Sequence, residues 1–468
     1  MISAKRVIGI LAAGAVVATV AQAGLADTLT DTLIRAYQSS PFLESQRAAL
    51  RRTDENVAIA RSSKRPEISA AIGAAGTIAR PPGPALVPDE WEYNQEVTAE
   101  LRATLLLYDH GQTAAAIQSA KAQVMANRAV LREVEQAVLF GAVQAYMDVR
   151  RDEISVDVGE NNVQVLREQV RATRDRFELG EVTRTDVSLA EARLAAAQAA
   201  LAGFRGQLQI SREAFGAVVG VPPQDLQPPP PLPGLPGTLA EAEAIAMRLH
   251  PNIVSARHAE EAAGYDLSRA RSARGPSISG AATVQTTDDV LDRGINDVRG
   301  TVSITGRVPL YQGGRLSAAA RQAEALLAQR KFEVQDTARQ IRQNTAGAWA
   351  NLAVARASIV ANREQVRSAQ IAFEGVQEEA LLGARTTLDV LDLEQDLRDA
   401  QLQLASSQRD EYVAAYQLLS TMGLLTVEHL NLGIPTYDPE AYHNKVQNGP
   451  YSTVEGSILE KLRDRYSR

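Results

Sequence analysis

The stretch that decides the fold is Leu179-Gly180-Glu181-Val182-Thr183-Arg184-Thr185-Asp186-Val187, because the chain contains a second copy of it. The second copy is Leu382-Gly383-Ala384-Arg385-Thr386-Thr387-Leu388-Asp389-Val390, in which each shared residue lies 203 positions later. Each copy lies between two Ala- and Gln-rich stretches with helical periodicity. The chain is therefore predicted to be a tandem duplication that contains two hairpins of antiparallel helices, each with one copy as its tip.

The composition of both tips is typical of a turn between two helices. Gly180 and Gly383 follow the last residue of a helical pattern, where glycine adopts a left-handed backbone without strain. A threonine then precedes an aspartate by three residues, which is the spacing of a capping box at the start of a new helix. The two predicted boxes are Thr183–Asp186 and Thr386–Asp389.

The duplication divides the chain into four parts after residue 26. Repeat 1 is predicted over residues 27–220 and repeat 2 over residues 238–432, each with the order helix, two strands, long helix, tip and helix. Residues 221–237 are rich in proline and predict a stiff, extended linker. Residues 433–468 contain glycine, proline and no clear periodicity, and predict an irregular C-terminal tail.

Residues 1–26 have the features of a secretory signal peptide. Two basic residues precede the apolar run 7–20, and small residues follow it, with cleavage expected after Ala23 or Ala26. The apolar run is too short to favour a membrane-spanning helix. The sequence therefore predicts an exported protein.

The composition excludes several classes of site. The chain has 468 residues, a formal net charge of −7 and no cysteine, so disulfides and thiolate metal ligands are impossible. An acidic chain of this kind is a poor nucleic-acid binder. The five histidines show no metal-ligand spacing, and there is no phosphate-binding loop or nucleophile elbow. We expect no cofactor, no metal and no enzymatic activity.

Four segments predict β-strands: residues 67–80, 91–107, 277–286 and 297–309. In residues 91–107 apolar and polar side chains alternate over more than ten positions, until Leu106 breaks the alternation. This length and pattern are typical of a strand that crosses a membrane with one face to lipid. The pattern alone is equally compatible with a half-buried antiparallel sheet in a water-soluble protein.

Four strands are too few to close a barrel, and lipid does not tolerate open strand edges. If these strands span a bilayer, other subunits must complete the wall. Two subunits provide eight strands, whose interior is filled by side chains, whereas three provide twelve and leave room for water. A conduit therefore requires at least three subunits.

Long helices are predicted over residues 113–179 and 316–382. In the first of them, apolar residues recur every seven positions, which is the spacing of a coiled-coil seam. A coiled-coil rod without a pore is the simplest interpretation of this segment alone. The seam residues are Ile117, Val124, Leu131, Val138 and Ala145.

With these features, residues 27–432 resemble the TolC family of outer-membrane efflux and secretion channels. The resemblance rests on the duplicated unit, on the strand exit Leu310-Tyr311-Gln312-Gly313-Gly314, and on the second tip through Asp392. It implies an α+β fold of long coiled-coil hairpins with four membrane strands per chain. It also implies a homotrimer that closes a twelve-stranded barrel in the lipid of a Gram-negative outer membrane and continues into a periplasmic tunnel of helices.

The resemblance further implies partners. The family provides the passive exit duct of tripartite efflux or type I secretion systems. Its helical tips dock to a periplasmic adaptor (membrane fusion) protein and to an inner-membrane pump of the resistance–nodulation–division or ABC type. The matching tip residues here are Gly180, Thr183, Gly383 and Thr386.

Two carboxylates are candidates for a pore constriction. Asp389 and Asp392 are three residues apart at the start of a helix and so lie on one face. The matching family pair lines the closed entrance, so a trimer would place six carboxylates around the axis. Asp389 is equally well explained as a helix cap. Asp392 lies outside the capping box and its repeat 1 counterpart is Leu189, which favours a pore role.

Arg385 matches the family position that holds the entrance shut by contacting the neighbouring tip, here at Thr185 and Asp186. A solvated surface arginine is the alternative. Ala380 occupies a position where some family members carry a tyrosine in a second tether, so the closed state here is expected to use fewer or different links.

Two other functions are compatible with parts of the sequence. One is a periplasmic coiled-coil adaptor that never spans the outer membrane, and the other is a structural periplasmic rod. The four amphipathic strands argue against the adaptor, and single-channel conductance in planar bilayers would distinguish the rod from a channel.

Overall fold

The computed structural model describes residues 27–80, 91–289 and 296–447, so the expected signal peptide lies outside the described residues. The described segments contain the following elements, in chain order: α1 Leu29–Ser39, α2 Pro41–Ser62, β1 Glu67–Ala79, β2 Glu92–Tyr108, α3 Gln112–Glu178, α4 Arg184–Val219, α5 Leu239–Leu249, α6 Pro251–Ser272, β3 Ser277–Asp289, β4 Asn296–Arg307, α7 Arg315–Leu381, α8 Thr387–Thr421 and α9 Pro439–Val446.

The same order of elements therefore occurs twice, as the duplication predicts. The helix expected at the start of each repeat is in fact two helices, because Pro41 and Pro251 each occupy the first position of a new helix. Proline is favoured there, since the first turn needs no backbone donor. The Ser40 hydroxyl caps the second helix of repeat 1 by accepting the backbone N–H of Leu43 at 3.3 Å.

The long helices α3 and α7 contain 67 residues each, which corresponds to rods of about 100 Å. Each packs against its shorter partner across a tip, α3 with α4 and α7 with α8, while α6 lies between α3 and α7. Four of the five predicted seam residues of α3 are buried, which confirms the seam for Val124, Leu131, Val138 and Ala145.

The four strands form one antiparallel sheet in the order β1-β2-β3-β4, so β2 of repeat 1 pairs with β3 of repeat 2. The break in alternation at Leu106 coincides with an irregularity in the register between Leu106 and Tyr108. Two strand ends differ from expectation by more than one residue: β3 continues to Asp289, and β4 ends at Arg307. Pro309 explains the second difference, because it cannot donate to a ladder and restricts the residue before it.

The register places the apolar positions of all four strands on one face of the sheet. Ile72 lies opposite Ala99, Leu101 opposite Val284, and Ala282 opposite Val302, and directly opposite residues share a face. This face is uncovered, with Ile72 84% and Val302 85% exposed. Among the described strands, β1 pairs only with β2 and β4 only with β3, so each has one edge without a partner.

The main hydrophobic core surrounds the middle of α3, where α1, α2 and the ends of α4 and α8 converge; we call it the belt. Its largest buried side chains include Tyr146, Phe215 and Leu418. The linker 221–237 contains no helix and packs against the belt, since the Tyr146 hydroxyl donates to the carbonyls of Asp27 and Gln227. The extended linker is therefore part of the core and not a free tether.

The C-terminal tail differs from its prediction, because residues 439–446 form the helix α9. Asp438 caps this helix by accepting the backbone N–H of Glu440 at 2.8 Å, and Pro439 fits its first turn. Helix α9 packs on α2, where the Nδ1 atom of His443 lies 3.0 Å from Oδ1 of the fully buried Asp54. Residues 448–468 lie outside the described segments.

In the described segments, none of the helices carries an apolar stretch long enough to cross a membrane.

We expect Gly423→Ala to destabilise the chain more than Gly383→Ala. Both glycines have a left-handed backbone, with φ of +78° and +77°, which costs other residues about 1–2 kcal/mol. A Cβ atom at Gly423 would in addition lie 2.8 Å from the carbonyl oxygen of Leu249, whereas one at Gly383 meets no atom within 4 Å. Thermal unfolding of both purified variants measures the difference. Equal losses would contradict a tight junction between α8 and α5.

Candidate functional site at the helical tips

Both tips end their first helix in the same way. In the first tip, the backbone N–H of Glu181 donates to the carbonyl of Arg176 at 2.9 Å, and Gly180 has a φ of 79°. In the second, the N–H of Ala384 donates to the carbonyl of Glu379 at 2.9 Å, and Gly383 has a φ of 77°. These bonds satisfy carbonyls that the helix end would otherwise leave unpaired. The two predicted turns therefore form at Gly180 and Gly383.

Both predicted capping boxes also form. Asp186 accepts the backbone N–H of Thr183 at 2.8 Å, and Asp389 accepts that of Thr386 at 3.0 Å. The threonine hydroxyls in turn accept the backbone N–H groups of the two aspartates. Hydrogen bonds from Thr183 lower the pKa of Asp186, and the backbone and hydroxyl of Thr386 lower the pKa of Asp389. Both carboxylates are therefore held in the ionised form.

Asp392 lies one turn after Asp389 and does not take part in the cap. Its Oδ1 atom accepts a hydrogen bond from Nη2 of Arg193 at 2.8 Å, and 54% of its side chain is exposed. Arg193 belongs to α4 of repeat 1, so the pair joins the two hairpins. Sequence reasoning missed Arg193, because no pattern relates two residues that are 199 positions apart.

Arg385 contacts its own hairpin in the structure of the single chain. Its Nε atom donates to Glu379 at 2.8 Å, and that carboxylate raises the pKa of the guanidinium. Among the described contacts of Arg385, none reaches Thr185 or Asp186. The residues predicted to form the entrance tether are thus all at the tips, but the single chain does not join them.

Two further contacts connect the hairpins within the chain. Nη2 of Arg176 donates to the carbonyl oxygen of Ala380 at 3.0 Å. The backbone of Ala380, where some family members carry a tyrosine, is therefore bonded to the first tip. The Asn162 amide donates to the Glu394 carboxylate, and both side chains are buried. Burial raises the pKa of Glu394.

The tips also expose apolar side chains that no other part of the described chain covers. Leu382 is 85% exposed, and Leu179, Leu381, Phe177 and Leu388 are exposed beside it or at the other tip. Exposed apolar clusters of this kind are typical of a surface that binds another protein. No group of three or more potential metal ligands occurs in the described residues.

An exposed sheet with one apolar face above two long helical hairpins is the arrangement expected of a membrane channel with a helical extension. The family comparison agrees. The model of the outer membrane efflux protein family matches residues 33–221 and 245–424, and the chain belongs to that family.

Similar proteins support the same assignment. The outer membrane efflux protein BepC of Brucella suis is 37% identical over 428 residues, which cover 91% of this chain and 92% of BepC. The alkaline protease secretion protein AprF of Pseudomonas aeruginosa is 25% identical over 319 residues, 66% of each chain. The crystal structure of the outer membrane protein VceC from Vibrio cholerae superposes with a TM-score of 0.71 at 22% identity, over 84% of this chain and 96% of VceC.

The protein is accordingly an efflux or secretion channel in the outer membrane of a Gram-negative bacterium, and it is not an enzyme. The adaptor and the structural rod, which the sequence alone left open, find no support among these relatives.

The buried Glu394 gives the contact between hairpins a pH dependence. Its folded-state pKa is raised, so its contribution to stability is greatest below the unfolded value of about 4.3 and is lost as the pH rises through the raised pKa. Glu394→Gln keeps an acceptor for Asn162 without ionising. We therefore expect thermal unfolding temperatures at about pH 5 and about pH 8 to differ less in this variant than in the wild type.

The matched control is Glu191→Gln, at the corresponding position of repeat 1, where the side chain is exposed and paired with Arg174. This control should keep the wild-type pH dependence. A Glu394→Gln variant that also keeps it would show that Glu394 has its ordinary pKa.

Proposed function

We propose that the protein works as a homotrimer and is the passive exit duct of a tripartite efflux or type I secretion system. The observation that carries the proposal is the sheet, with its uncovered apolar face and its two unpaired edges. Lipid covers such a face, but it cannot satisfy the backbone groups of an edge. Pairing β1 of one subunit with β4 of the next removes both edges, and three subunits give a twelve-stranded wall wide enough for water.

The helical hairpins supply the second half of the proposal. Because α3 and α7 are about 100 Å long, they carry the tips far from the membrane that contains the strands, into the periplasm. There, the exposed leucines and the turns at Gly180, Thr183, Gly383 and Thr386 form the docking surface for a periplasmic adaptor and an inner-membrane pump of the resistance–nodulation–division or ABC type. The names of the relatives, an efflux protein and a protease secretion protein, support both kinds of system.

In the trimer, Asp389 and Asp392 of the three subunits line the narrow periplasmic entrance. Carboxylates around a pore attract cations and repel anions, and the capping bonds keep Asp389 ionised. Arg385 reaches Thr185 and Asp186 of the neighbouring tip and holds the entrance closed. In this assembly, Arg385 exchanges its contact with Glu379 for one between subunits.

The channel proposal is tested with purified protein in planar lipid bilayers. We expect discrete single-channel steps, and we expect the protein to migrate as a heat-sensitive trimer in electrophoresis of the outer-membrane fraction. A detergent-free, water-soluble monomer without conductance would contradict the proposal.

The tether is tested by Arg385→Ser, which we expect to raise the conductance of the closed channel because it removes the link to Thr185 and Asp186. The control is Arg367→Ser, which removes another exposed charge from the same hairpin, where Arg367 pairs with Glu364. Single-channel recordings of both variants measure the effect. If the two conductances are equal, Arg385 does not hold the entrance.

A further inference from the structure

We propose that Arg193 determines the ion selectivity of the entrance. It holds Asp392 in an ion pair, so that the charge of Asp392 is compensated in the closed state. This inference rests on the proposed function, because it concerns the charge of the same entrance.

The contact geometry fixes the guanidinium of Arg193 at two points on α8. Nη2 donates to Asp392 at 2.8 Å, and Nη1 donates to the side-chain oxygen of Gln395. The two acceptors are three residues apart and therefore lie on the same face of α8. Arg193 is 35% exposed, less than its partner, because it lies in the contact between the helices.

The energy of this pair is small, but its effect on the local potential is not. Half-exposed ion pairs contribute little to the stability of a protein. A positive charge at hydrogen-bond distance nevertheless cancels most of the field of the carboxylate at distances larger than the pair itself. An ion in the entrance would therefore experience Asp392 as part of a dipole and not as a full charge.

A buried contact beside the pair keeps the hairpins in register. Glu394 lies between Asp392 and Gln395 in the sequence and accepts the amide of Asn162 from α3. This contact is buried, whereas the ion pair is partly solvated. Repeat 1 thus holds the first turns of α8 at three residues within four positions: Asp392, Glu394 and Gln395.

The duplication does not repeat this ion pair. The position in repeat 2 that corresponds to Arg193 is Asp396, and the position in repeat 1 that corresponds to Asp392 is Leu189. The reciprocal contact, made by exchanging the two repeats, would bring Asp396 and Leu189 together and could not form an ion pair. The pair therefore forms once per chain, between Arg193 of α4 and Asp392 of α8. An assembled trimer contains three such pairs.

The test is the reversal potential of the reconstituted channel under a salt gradient, at an ionic strength of about 0.1 M, where screening acts over about 10 Å. Arg193→Gln leaves three carboxylates of Asp392 uncompensated, so we expect the permeability ratio of potassium to chloride to rise by about two-fold or more. Asp389→Asn should lower this ratio.

The matched control is Arg205→Gln. Arg205 lies on the same helix and also pairs with a carboxylate, that of Glu160 at 2.7 Å. It is twelve residues further along α4, about 18 Å away, which is beyond the screening distance. We expect its reversal potential to equal that of the wild type.

The double variant Arg193→Gln/Asp392→Asn separates pairing from independent action. If the two residues form a pair, the double variant returns to the wild-type ratio, because it removes equal and opposite charges. If Arg193 has no effect on the charge of the entrance, its ratio equals that of Asp392→Asn alone. That outcome, or an Arg193→Gln reversal potential equal to that of Arg205→Gln, would overturn the inference. A wild-type protein without any conductance would instead overturn the proposed channel function.

Discussion

The rest of the structure depends on the unsatisfied backbone groups at the edges of the four-stranded sheet. One face of the sheet is apolar and uncovered, which suits lipid, but the outer edges of β1 and β4 have no strand beside them in the chain. In hydrocarbon, each unpaired N–H or C=O group costs several kcal/mol. A single chain in a membrane would leave these edges unsatisfied, which is the reason for proposing a trimer.

Two kinds of contact hold the helical part of the chain together. In the belt, large apolar side chains such as Tyr146 and Phe215 are fully buried, and the linker and α9 complete the packing. Towards the tips, polar contacts such as Arg193 with Asp392 and Asn162 with Glu394 join the hairpins beside a smaller apolar cluster that includes Leu391. A small apolar cluster and a partly solvated ion pair such as Arg193–Asp392 hold the helices less strongly than the belt does. The tips are thus the part of the rod that is suited to movement.

Local sequence patterns predicted most of the fold. Glycine followed by Thr-x-x-Asp located both tips, and period-two alternation located all four strands, with Leu106 marking the irregularity in β2. These signals are local because helix ends and strand faces depend on neighbouring residues. The contacts that the sequence did not predict are those between distant segments: Arg193 with Asp392, and α9 with α2. Partners separated by hundreds of residues leave no periodicity, and only the fold brings them together.

The docking of α9 on α2 has a consequence for the order of folding. Asp54 and His443 are 389 positions apart, so one of the earliest helices to be synthesised must wait for one of the last before its buried carboxylate finds this partner. Contacts of such long separation form late, because a large loop must close first. Until then, the surface of α2 that α9 covers remains open, and Asp54 lacks this partner. Docking of α9 is therefore expected to be a late step in the folding of the subunit.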